Sequence, residues 1–397
     1  MRHLHAGHWL GFAVFLTVPL AVIAPKGEVI LVALVALPLL ARTVSRGFHR
    51  QVLKSPTAAT LALMLIWGCT SALWALEPET ALRRSGSLAL LAAAAVSLFL
   101  ACDALVAEER WVARRATVVG LTTGCLLLIV ELSAGLPVNT LVRDAENVTK
   151  PTILNGALSI VAIMAWPAAL ILRQQKRLWL AIGVLLLAVI VLLLGDGNSA
   201  RVAFGLAALV AAAALHWPDM SRRAMVIVST LGILTAPLVP GTFLSPDRWT
   251  DALSGTTDSA IHRLHIWNFS AERIAEKPLA GWGLDASRTI PGGDVEVIQD
   301  GASMQLHPHN APLQIWLELG VPGAAGLAAI VIIALMSARH LPREAQAASL
   351  ATTTAALAVA SLSFGIWQHW WLATLALATV AVKIAVADSE PSNAQSV

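Results

Sequence analysis

About twelve stretches of this chain, at roughly 9–25, 28–44, 57–76, 85–105, 114–134, 152–172, 178–195, 200–217, 224–243, 312–337, 346–366 and 369–387, are almost wholly apolar. A helix rises 1.5 Å per residue, so about 20 such residues cross the hydrocarbon core of a bilayer. Because lipid cannot satisfy backbone N–H and C=O groups, stretches of this kind are restricted to helices. The expected fold class is therefore all-α: a polytopic integral membrane protein with about 12 transmembrane helices. Composition agrees: 57% of the 397 residues are hydrophobic, 13% are charged, and mean hydropathy is +0.72. A water-soluble domain could not cover so much apolar surface. Cys69, Cys102 and Cys125 all lie in apolar runs and read as small core residues. With 14 Trp and no Tyr, tryptophan alone must form the interfacial aromatic belt.

Orientation follows from the cations of the short loops. One set of loops carries sixteen Lys and Arg: Arg2, Arg42, Arg46, Arg50, Lys54, Arg110, Arg114, Arg115, Arg173, Lys176, Arg177, Arg222, Arg223, Arg339, Arg343 and Lys383. The other carries six: Lys26, Arg83, Arg84, Arg143, Lys150 and Arg201. Both termini are thus expected in the cytoplasm. A net charge of +3, spread over short loops, reflects topology and gives no reason to expect nucleic-acid binding.

Three regions are expected: a bundle of spans 1–9 over 1–243, an external loop over 244–311, and spans 10–12 over 312–397. In the loop, Asp258 or Ser259 caps a helix reaching about Lys277, where Pro278 closes it. At 100° per residue, Ile261, Leu264, Trp267, Ala271, Ile274 and Ala275 share one apolar arc. Arg263 falls at the edge of that arc and can point inward, whereas Arg273 lies on the wet face. The loop runs into His307-Pro308-His309-Asn310, so a titratable histidine sits where soluble chain enters the membrane. An ionisable group at such a depth is a candidate functional site.

His309-Asn310, nine residues, then Gly320-Val321-Pro322-Gly323 reads H-N-x9-G-x-x-G. This pattern resembles the signature of bacterial O-antigen ligases, within the wider family that includes O-antigen polymerases. The run from Arg263 to Gly283 resembles the family's Arg…Trp…Pro-x-x-Gly-x-Gly segment, and Ser199-Ala200-Arg201 approximates its Ser-Arg element with the spacing changed by one residue. The resemblance implies transfer of a glycan from undecaprenyl pyrophosphate to a sugar hydroxyl of lipid A-core, at the periplasmic face of a bacterial inner membrane. Membrane lipids are expected as further partners. With those motifs, His309 is expected as catalytic base and Arg201, Arg263 and Trp267 as substrate-binding residues; Arg288, which lies in the same external loop, is a further phosphate candidate, and Asn310 and Gln314, one turn apart, could orient the base or hold a sugar.

The residue types suit that chemistry. A pyrophosphate leaving group needs charge stabilisation, for which the arginine fork is well shaped. A neutral hydroxyl acceptor benefits from a neutral histidine base. Each residue also has a plainer role. His309 could bond a loop carbonyl while Asn310 caps the following helix, Gln314 could pair helices, and Arg201 could reach for headgroups. No third ligand follows His307 and His309 at helical spacing, so neither a metal nor a cofactor is expected. No D-x-D or P-loop is present, which points to a donor already activated in the membrane. Two alternatives stand beside the ligase: an O-antigen polymerase, whose acceptor is another lipid-linked repeat, and a secondary transporter. The absence of a repeat between the two halves argues against the transporter.

Overall fold

The computed structural model describes residues 5–45, 55–143, 150–253, 258–298, 301–304 and 306–387. Arg2, Arg46, Arg50 and Lys54, four of the cations used to orient the chain, lie outside them.

All twelve apolar stretches are helical: α1 (Ala6–Ile23), α2 (Gly27–Ser45), α3 (Pro56–Thr70), α4 (Pro78–Asp103), α5 (Ala107–Ser133), α6 (Asn155–Gln174), α7 (Leu178–Leu194), α8 (Asn198–His216), α9 (Pro218–Leu234), then α11 (Ala311–Ser337), α12 (Arg343–Leu362) and α13 (His369–Val386). The long loop supplies α10 (Asp258–Glu276). Among the described residues, nine helical segments are long and apolar enough to cross a membrane. The apolar parts of α2 and α7 are shorter, and α9 falls below the same measure.

Several helices begin earlier than their apolar stretches suggest. Prolines at the first turn of α3, α4 and α9 start them, because a fixed φ and a missing N–H cost nothing there. Arg83, Arg84, Arg110, Arg114, Arg115, Arg222 and Arg223 sit inside helices, within the first three turns, rather than in loops. The ninth helix shifts most, from 224–243 to Pro218–Leu234, with Leu238–Thr242 following as a separate short helix.

Contacts at the helix ends show the helices alternating in direction. At one end Arg143 donates to Ile23 O (2.9 Å), Ser199 Oγ to Leu362 O (3.3 Å), and Arg84 pairs with Asp285 (2.6 Å). At the other, His5 meets Glu109 (3.3 Å), Arg173 meets Glu344 (3.0 Å) and Lys383 meets Asp103 (2.7 Å). Even α9 runs antiparallel to α11 along its length, from Arg222 beside Met336 to Ile233 O beneath Trp316 Nε1. Helices α1 and α5 run parallel and very close. A Cβ on Gly120 would collide with the Phe15 backbone, and one on Gly124 with Val18. Small residues permit this approach, which van der Waals packing then stabilises.

The long loop is structured. After the short helix Pro246–Leu253 and α10 come a helical turn, Ala286–Arg288, and a two-stranded antiparallel hairpin of β1 (Glu296–Ile298) and β2 (Gly301–Ala302). Its apolar cluster of Ile266, Ile274, Trp282, Ile290 and Met304 is completed by Leu313 and Leu317 of α11. The loop thus folds onto the bundle and shares its core.

Candidate active site

The site is built around a break in α11. Gly320 has φ 60° and ψ −153°, a conformation close to glycine-only, and Pro322 follows. Breaking a helix frees carbonyls, and each one left unsatisfied in a membrane costs several kcal/mol. Here three freed carbonyls and one N–H find partners in the loop or in α3. Trp282 N–H donates to Leu317 O (2.9 Å), Gly283 N–H to Glu318 O (2.9 Å) and Trp67 Nε1–H to Leu319 O (2.9 Å), while Val321 N–H donates to Pro278 O (3.1 Å). Backbones approach so closely that a Cβ on Gly281 would strike Glu318, and one on Gly320 would strike Leu279 O. The G-x-x-G and Pro-x-x-Gly-x-Gly elements, about 40 residues apart in sequence, are two faces of one backbone dock.

This dock fixes the turn ahead of α11. Asn310 caps the helix by accepting from Leu313 N–H (3.1 Å). His309 takes up a left-handed φ of 53°. Its Nδ1 lies 2.5 Å from Ser363 O, and a carbonyl can only accept, so Nδ1 carries the proton and the lone pair is on Nε2. Nε2 has no hydrogen-bond partner among the described residues. Burial holds the His309 pKa below the usual value, assisted by the nearby charges of Arg263 and His262 and opposed by the Ser363 bond. His307 is tied in more tightly. It accepts from His309 N–H through Nδ1 (3.2 Å), the two rings lie 4.3 Å apart, and burial pushes its pKa down to about 3, with His309 and Arg288 contributing.

Helix α10 supplies the flank. Trp267 Nε1–H donates to Pro308 O (2.9 Å), which clamps α10 to the histidine turn. The buried face of α10 differs from the apolar arc read off the wheel: Ile266 and Ser270 are buried with Leu264 and Ile274, whereas Ala275 is exposed. That rotation carries Arg263 from the edge to the middle of the inward face. Packing against the hairpin, with His262 donating to Ala302 O (2.8 Å), outweighs the crude apolar count. Burial lowers the Arg263 pKa, as expected for a guanidinium held in a partly desolvated place.

The other expected residues are placed as follows. Arg288 bonds Asp285 Oδ1 (3.1 Å) and remains about 40% exposed, on the His307 side. Gln314 spans two elements, accepting from Ile366 N–H (2.9 Å) and donating to Glu318 (3.0 Å). Arg201 lies at the same end of the bundle, but its guanidinium covers the last carbonyls of α7, Leu192 O (2.8 Å), Leu193 O (3.2 Å) and Gly195 O, and also Asn198 (3.0 Å). Its link to the histidine is indirect: Ser199 holds Leu362 O, and the next carbonyl, Ser363 O, holds His309.

Three features were absent from the sequence reading. Glu318 is fully buried, and four donors aim at its carboxyl group: Asp285 N–H (2.6 Å), Ser287 Oγ (2.7 Å), Gln314 Nε2 (3.0 Å) and Trp367 Nε1 (2.5 Å). Its signal was a lone acid in an apolar stretch, one turn after Gln314. Asp285, at φ 63°, clamps Arg84 on one oxygen and Arg288 on the other, and Arg84 reaches His369 Nδ1 (3.3 Å). The third is the segment 363–368, of which 363–366 were expected to continue the span 346–366, whereas the helix ends at Leu362. It forms the back wall: Ser363 holds His309, Ile366 holds Gln314, Trp367 holds Glu318, and Gly365 lets the chain pass against the His307 ring. Its Gly and dense aromatics were the available signal. No group of three His, Cys, Asp or Glu able to hold a metal ion occurs among the described residues.

Fold and site together define a multi-helix protein of membrane type, with a buried, nitrogen-rich polar site at one end of the bundle. The family described as O-antigen ligase matches residues 162–328, a span that includes Arg201, Arg263, His309 and the Gly320 break. Relatives named "Putative polysaccharide ligase" match beyond it. One from Rickettsia conorii is 28% identical over 284 residues, covering 70% of this chain and 68% of its own. One from Rickettsia bellii is 29% identical over 279 residues (69% and 67%), and one from Rickettsia felis is 25% identical over 338 residues (83% and 81%). The chain is thus similar to the O-antigen ligase family over residues 162–328, and over about 70% of its length to relatives named as polysaccharide ligases.

Proposed function

We propose that this protein is a glycosyltransferase that moves a glycan from undecaprenyl pyrophosphate to a sugar hydroxyl of lipid A-core. The observation that carries this reading is His309, half-buried and held below its usual pKa, with Nδ1–H fixed on Ser363 O and Nε2 unengaged among the described residues. In the proposed step Nε2 takes the proton of the acceptor hydroxyl as its oxygen attacks the anomeric carbon. The C–O bond to the pyrophosphate breaks, and the electron pair leaves with undecaprenyl pyrophosphate. A single displacement of this kind inverts the anomeric configuration.

Arg263 and Arg288 are assigned to the leaving phosphates, since each lies close enough for its charge to act on the histidine turn, Arg263 on His309 and Arg288 on His307. Of the nearby carboxylates, Glu318 is held by four donors, and Asp285 shares its charge between Arg84 and Arg288, orienting the Arg288 guanidinium through Nε. Arg201 is assigned as a further phosphate ligand that exchanges a helix-end carbonyl for a phosphate oxygen, the charge-assisted bond being the stronger. Asn310 and Trp267 hold the turn and line the approach for sugar, and Gln314 sets the back wall.

The topology proposed is twelve spans, including α2, α7 and α9, with both termini cytoplasmic and the His309 end in the periplasm. The alternation of helix direction supports the count, and sixteen cations against six support the orientation. Loss of the gene is expected to leave bare lipid A-core while full-length polymer accumulates on its carrier, as read on a lipopolysaccharide gel. Core bearing one repeat would instead indicate a polymerase, and unaltered lipopolysaccharide would indicate transport.

A further inference from the structure

At the end of the bundle opposite His309, a cavity of about 350 Å³ opens between the start of α5, the end of α6 and the start of α7. Helix α6 alone, 20 residues long, separates the two ends by about 30 Å. The cavity is lined by Arg115 and Arg177 with Gln175 at its polar side, and by Val118, Val119, Leu172 and Leu180 below them. Neither arginine is paired with a carboxylate among the described residues; Arg115 instead lies over the ring of Trp111, 5.4 Å from its centroid. Nearby basic residues are treated differently, Arg173 being paired with Glu344 and Arg222 with Asp219. Trp111 (54%), Leu180 (53%) and Val119 (43%) are exposed although strongly apolar, and α5 is itself long and apolar enough to span a membrane.

Two unpaired guanidinium groups above an apolar wall, where helices leave the bilayer, complement a phosphate attached to acyl chains. Guanidinium binds phosphate oxygens in pairs, and tryptophan prefers headgroup depth. Basic pockets between spans are suited to anionic headgroups. We propose that this cavity is a binding site for an anionic phospholipid, with its phosphate held by Arg115 and Arg177 and an acyl chain laid along Val119 and Leu180. The site is distant from His309, so it does not depend on the chemistry assigned there.

The test is native mass spectrometry of the full chain purified in mild detergent and titrated with phosphatidylglycerol or phosphatidylcholine. At about fivefold per juxtamembrane cation, wild type is expected to prefer phosphatidylglycerol by roughly 30-fold. R115Q/R177Q should bind the two lipids alike while keeping the wild-type melting temperature, and R115K/R177K should keep most of the preference. Equal retention of phosphatidylglycerol by R115Q/R177Q would overturn the proposal, as would equal binding of the two lipids by wild type. Displacement of the lipid by millimolar inorganic phosphate would also overturn it, since the acyl wall would then contribute nothing.

Discussion

The α1–α5 pair and the α11 dock are both places where backbones touch, yet they are held together by different forces. Between α1 and α5 the contact is apolar along the helices, where Gly120 and Gly124 admit Phe15 and Val18, and only the His5–Glu109 pair at one end adds a polar link. Around Gly320 the contact is polar, with three freed carbonyls of α11 each receiving a donor and four further donors converging on Glu318. Packing against small residues tolerates any partner of the right shape. A hydrogen-bonded dock sets one orientation, because each misplaced donor would leave a group unsatisfied in a low-dielectric place. The first contact therefore gives the bundle its frame, and the second fixes the direction of the histidine turn.

Substitutions can break this contrast. Gly320→Ala should have the largest effect, combining a strained φ, a collision with Leu279 O and loss of the dock. About 4 kcal/mol is expected, read as lost folded protein and lost transfer together. Gly120→Val should cost about 3 kcal/mol in detergent melting but leave transfer per folded molecule unchanged. If both variants lost transfer in proportion to folding alone, the distinction between frame and dock would fail. Glu318→Gln places an amide donor among four donors, so roughly 1–3 kcal/mol is expected, with a fall in turnover at an unchanged expression level.

Acid sharpens the same point with a smaller, graded effect. His307 and His309 are both held below their usual pKa, so the unfolded chain binds more protons than the folded one. Stability is expected to be flat above about pH 6.5 and to fall between 6.5 and 3, by an amount on the order of a few kcal/mol at the acid limit. His307→Gln should flatten that slope, and an unchanged slope would contradict the placement of the His307 ring.

The frame was largely legible in the sequence, because an apolar stretch of about 20 residues has only one way to satisfy its backbone in lipid. Helix α10 and its stop at Pro278 were legible from local signals too. His309, Asn310 and the two glycines could be marked by pattern, and Arg263 was placed within a turn of its true direction. Partners were not legible. Glu318 with Trp367, Arg84 with Asp285, and His309 with Ser363 are contacts across 49, 201 and 54 residues. Arg201 illustrates the limit: its type and position suggested an anion ligand, yet its donors are engaged by α7 carbonyls that no spacing rule could reveal.

The central claim is that the unengaged Nε2 of His309 acts as base. It is tested most directly by transfer from a purified undecaprenyl-pyrophosphate-linked glycan to lipid A-core by His309→Ala in a defined detergent. The account predicts turnover lower by about 10²–10⁴, with donor affinity and melting temperature near wild type. Turnover within a few-fold of wild type would contradict it.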